Sequence, residues 1–84
     1  MSRPKLTRIY RVVVADPSAL NYIPNPVEGL APIKPDGVTC DVNATNVNNA
    51  AHKAFAALIK SGGLTRRPKA YSGGWHNTSI FPIF

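Results

Sequence analysis

At 84 residues the chain has room for one small domain, near the size at which a single hydrophobic core is marginal. A hydrophobic content of 44% argues against outright disorder, and the lone cysteine, Cys40, excludes an intrachain disulfide framework and a cysteine-based zinc site. The formal net charge is +6, and a protein so basic suits an anionic partner, either nucleic acid or an acidic protein surface.

The charge is segregated. Arg3, Lys5, Arg8 and Arg11 stand near the start without an acid, and so do Lys53, Lys60, Arg66, Arg67 and Lys69 further on. All four acids (Asp16, Glu28, Asp36 and Asp41) lie between these two basic segments.

In chain order, residues 1–5 read as a basic arm. Residues 6–15, LTRIYRVVVA, read as a strand, because β-branched and aromatic residues alternate along them. Both sides of this strand turn apolar from Ile9 onward, so a central or covered position is expected. Asp16-Pro17 ends it, since proline lacks the ladder donor. The run Val12-Val13-Val14-Ala15 is too short for a signal-peptide core, and no stretch reaches transmembrane length. A virion or cytoplasmic location without a secretion signal is the expectation.

Residues 17–35 carry five prolines, which forbid a helix and most sheet pairing. Leu20, Tyr22, Ile23, Val27, Leu30 and Ile33 are scattered through the segment, too many apolar residues for a free linker. It is expected to lie extended on a surface, either its own helix or another subunit. Pro35-Asp36-Gly37 is a turn signal and predicts a hairpin over 31–42. Cys40 reads as a small buried or half-buried hydrophobe.

The clearest element is a helix over 44–61. Val47, Ala50, Ala51, Ala54, Phe55 and Leu58 recur at helical spacing, with Asn49, His52, Lys53, Ala56 and Lys60 on the opposite face. Asn43, Thr45 and Asn46 are candidate N-caps, and Gly62-Gly63 suits the C-cap. An apolar face built largely of alanine permits close approach to a sheet.

Residues 64–84 form a basic and aromatic C-terminal arm. Arg66, Arg67 and Lys69 precede Tyr71 and Trp75, a mixture that suits single-stranded nucleic acid or a protein interface. The apolar tail of Ile80, Phe81, Ile83 and Phe84 tilts the patch toward a protein interface, as a last strand or as an anchor in a partner. His52, His76 and the scattered acids show no metal-ligand spacing, and nothing local places a base beside a nucleophile. No cofactor, metal, small-molecule substrate or catalytic residue is expected.

The sequence therefore predicts a single small α+β domain with extended arms. The leading functional expectation is a non-enzymatic structural component of a large assembly, such as a minor capsid, cement or accessory virion protein of a virus or phage. Tyr71, Trp75, Ile80, Phe81, Ile83 and Phe84 would anchor it on larger protein subunits. A basic nucleic-acid-binding accessory protein, ribosome-associated or single-strand binding, is the alternative; Arg3, Lys5, Arg8, Arg66, Arg67 and Lys69 would meet the phosphates. A monomeric regulator or inhibitor of a host protein is the third reading.

Overall fold

A computed structural model describes residues 6–83. The arm 1–5, with Arg3 and Lys5, and the terminal Phe84 lie outside the described residues. The fold is α+β. Strand β1 (Arg8–Val14) is central in a three-stranded antiparallel sheet, flanked by β2 (Val38–Ala44) and the last strand, β5 (Thr78–Pro82). Between β2 and β5 the chain passes through helix α1 (Val47–Ser61) and a small hairpin of β3 (Ala70–Tyr71) and β4 (Gly74–Trp75).

The register sorts the side chains into two faces. Tyr10, Val12 and Val14 lie opposite Val42, Cys40 and Val38 on one side, and opposite Pro82, Ile80 and Thr78 on the other. This face is covered by α1, whose Ala50, Ala51, Ala54, Phe55 and Leu58 are buried. The three alanines let the helix backbone come close to the sheet, and Phe55 fills the remaining space. Val47, the first residue of the apolar pattern, stays exposed at the helix start. Asn46 is the N-cap, its side chain accepting from the Asn49 N–H at 2.8 Å. Gly62 closes the other end at φ 90°, left-handed backbone that glycine adopts without steric cost.

No described residue outside the sheet forms a layer on its other face. Arg11 pairs across the strands with Asp41, at 3.0 Å from Nε to Oδ1 and 3.1 Å from Nη2 to Oδ2, and Phe81 lies opposite Arg11 on its other side. Ile9 and Phe81 are exposed there.

Two expectations change. The Pro35-Asp36-Gly37 turn does not close a hairpin over 31–42, because β2 pairs with β1 along its whole length and Ile33 bridges back to Ile23. Proline at 32 and 35 leaves residues 31–35 few donors for a ladder, whereas β1 offers a full row of them. The segment 17–35 also does not run extended along its whole length. Only its start is built into the core, where Ala19 and Leu20 are buried and Leu20 bridges to Leu64. From Tyr22 to Lys34 the chain folds back on itself as a finger. Its legs exchange the Ile23 and Ile33 N–H···O bonds at 2.7 and 2.9 Å, and the Asn25 side chain spans the tip to the Ala31 carbonyl at 3.2 Å.

Candidate functional site: the finger and the cation cluster

Two surface features stand out, and both spring from the same junction. Residues 18–21 run alongside 63–66. Asn21 N–H donates to the Gly63 carbonyl at 3.2 Å, and Thr65 N–H and Oγ1 both donate to the Ala19 carbonyl at 2.8 and 3.1 Å. Arg66 Nε donates to the Ser18 carbonyl at 3.1 Å. The buried Leu20 and Leu64 nail this seam to the core.

The finger leaves the seam on one side. Tyr22, Val27 and Leu30 are 60%, 58% and 59% exposed, and Ile23 and Ile33 are also open to solvent. Lys34 holds the base, donating to the Pro17 carbonyl at 2.8 Å while its Nζ sits 5.1 Å from the centroid of the Tyr22 ring. Proline at 24, 26 and 32 limits the backbone freedom of the exposed part.

The cation cluster leaves the seam on the other side. Arg66, Arg67 and Lys69 line one shallow concavity with Ser18. Among the described residues no carboxylate comes within ion-pair distance of any of the three, and the one such pair is Arg11–Asp41. The acid closest to the cluster in effect is buried Asp16, and its carboxylate is already engaged by Ser18, at 2.8 Å from Oγ and 3.1 Å from N–H. Burial pushes the Asp16 carboxyl up, but these two hydrogen bonds and the charges of His76 and Arg66 outweigh it and hold the group below its ordinary 3.8.

Arg67 Nη1 donates to His52 Nδ1 at 2.9 Å. Guanidinium has no acceptor, so His52 accepts at Nδ1 and carries its proton on Nε2. The His52 ring meets Trp75 edge-on at 5.9 Å, and Trp75 meets Phe55 edge-on at 5.5 Å. A line of contacts thus runs from the cluster to the middle of the core. Expected as a solvated residue of the polar helix face, His52 is exposed but holds Arg67 in place.

The hairpin that follows presents a ring pair. Tyr71 and His76 stand edge to face at 5.7 Å, and the His76 N–H donates to the Lys69 carbonyl at 2.8 Å. Lys69 therefore continues the pairing of Ala70 with Trp75 by one step, opposite His76. By strand alternation Lys69, Tyr71 and His76 share the outer side of the hairpin, while Trp75 takes the side toward α1.

The remaining predicted residues are dispersed. Arg8 is exposed at the start of β1, where it lines a concavity with Leu6, Thr7, Tyr10, Thr45 and Pro82. Ile80 packs half-buried against the core, Phe81 lies on the other sheet face, and half-buried Ile83 donates its N–H to the Ile9 carbonyl at 2.9 Å. Half-buried Cys40 packs on the core, where burial and then Asp41 push its thiol up, away from the nucleophilic thiolate. Among the described residues no group of three His, Cys, Asp or Glu is placed to hold a metal ion, and no helix is long and apolar enough to cross a membrane.

No protein-family model, curated protein or solved structure matches the chain.

Proposed function

We propose that the chain is a non-enzymatic structural component of a larger assembly, docking on neighbouring protein subunits through the finger of residues 22–34. The observation that supports this reading is the finger's side-chain content. Five large apolar residues, Tyr22, Ile23, Val27, Leu30 and Ile33, are exposed among the described residues on a proline-stiffened loop. Exposed apolar surface of this kind marks interaction sites, and a loop already near its bound shape loses less entropy on docking.

The setting proposed is a virus or phage particle, in the role of a minor capsid, cement or accessory protein. Small size and arm-like segments support that choice. Phe81 and Ile9 on the sheet face away from α1 offer a second apolar contact on the same molecule.

Co-sedimentation from the native source tests the reading, with and without nuclease and at low and high salt. A docked structural component stays with a large particle throughout. Release of the chain by nuclease or by salt alone would overturn the finger as the principal attachment, because apolar docking hardly responds to either.

A further inference from the structure

We propose that Arg66, Arg67 and Lys69, with the Tyr71–His76 ring pair, form a binding site for single-stranded nucleic acid, independent of the finger. The three cations take successive phosphates, and the rings take the bases. Four observations carry this.

The cations are gathered around one concavity of about 270 Å³ and have no carboxylate partner among the described residues. Their positions are set from behind. Arg66 is tied by Nε to the Ser18 carbonyl and Arg67 by Nη1 to His52, so each guanidinium keeps free N–H groups for an anion. The Ser18 hydroxyl is committed to Asp16, which leaves the concavity's donors to the three basic side chains.

Lys69, Tyr71 and His76 share the outer side of the β3–β4 hairpin, so a cation and a pair of exposed rings face the same way. Positive charge beside exposed rings suits a single strand, whose bases are free to stack where a duplex hides them.

The apolar tail that favours a protein interface is largely used within the fold, since its residues 78–82 form β5 inside the sheet. Trp75 is likewise turned onto Phe55 and His52. What remains exposed beside the cations is Tyr71 and His76. Arg8, at the start of β1, is not one of the residues gathered around this concavity.

The experiment is fluorescence anisotropy of the full chain with a short labelled oligothymidylate, across a salt series. Three neutralised phosphates predict a log–log salt slope near −2, or roughly a 20-fold loss of affinity from 50 to 200 mM salt. Lys69→Ala is expected to make the slope shallower by about 0.7. Tyr71→Ala is expected to cost about tenfold in affinity with the slope unchanged, and Tyr71→Phe to restore binding, since only the ring face is used. Neither Lys69 nor Tyr71 makes a side-chain hydrogen bond to the rest of the described fold, so these variants should fold. Lys60→Ala, an equal loss of charge at the helix end, is the control and should leave affinity within about twofold.

Equal binding of a duplex, displacement by polyglutamate as efficient as by unlabelled oligonucleotide, or a Tyr71→Ala affinity equal to wild type would each overturn the proposal. The polyglutamate result would assign the cluster to an acidic protein surface instead. Because the finger is intact in every variant, failure here leaves the docking reading untouched.

Discussion

The helix-on-sheet layer and the finger are both apolar, and they use apolar side chains in opposite ways. In the layer, Val12, Val14 and Phe55 are fully buried by the chain itself. In the finger, Tyr22, Val27 and Leu30 keep more than half of their surface in water. Burial of a Val or Leu side chain is worth about 1.5–3 kcal/mol, so the layer holds most of the folding free energy and the exposed side chains of the finger contribute little of it. In a chain this small, apolar residues kept out of the core are a substantial loss of self-stability.

The sharpest way to break the contrast is Phe55→Ala. Loss of this fully buried aromatic ring between α1 and the sheet should cost about 3–5 kcal/mol, enough to leave a marginal domain largely unfolded in a urea titration followed by Trp75 fluorescence. Deleting residues 80–84 should have a comparable effect. It removes Ile80, Phe81 and Pro82 from β5 and uncovers one edge of β1, so tail truncation reports on folding before it reports on docking.

The helix caps come next. Gly62→Ala forces a Cβ into left-handed backbone at φ 90°, and Asn46→Ala removes the acceptor for the Asn49 N–H. Each should cost about 1 kcal/mol, read as a lower urea midpoint with an unchanged slope.

A smaller effect is expected with acid. The folded Asp16 carboxyl titrates below its ordinary 3.8, so its ionised form stabilises the fold above that pH and the contribution is lost as pH falls through the lower folded value. Urea midpoints measured from pH 5 down to pH 2.5 should fall more steeply for wild type than for Asp16→Asn.

How much of this was legible in the chain differs by region for physical reasons. The helix was readable because its periodicity and caps are local: Ala50 to Leu58 mark the buried face, and Asn46 and Gly62 mark the ends. The central place of β1 was readable from apolar residues on both of its sides. The partner of β2 was not. Pro35-Asp36-Gly37 signals a turn, but the strand that β2 pairs with begins thirty residues earlier, and no local pattern encodes that register. The tail was ambiguous because a strand-forming stretch such as Thr78–Pro82 suits either its own sheet or a neighbour's. At the cation cluster, Arg66, Arg67 and Lys69 were visible as adjacent charges. The His52 contact was not, because it depends on how residues after the helix fold back across fifteen positions. Nor could the sequence divide the aromatics, with Trp75 turned inward and Tyr71 and His76 outward, since that follows from the hairpin's strand alternation.

The smallest effect on stability, and the one that bears most on function, is expected in the finger. Val27→Ser with Leu30→Ser changes two exposed tip residues, and the urea midpoint should move by less than about 0.5 kcal/mol equivalent. The decisive measurement is co-sedimentation of this folded double variant beside wild type with the particle from the native source, at high salt and after nuclease treatment. The docking account predicts that wild type sediments with the particle and the variant stays in the supernatant. Equal retention of the two chains would contradict it.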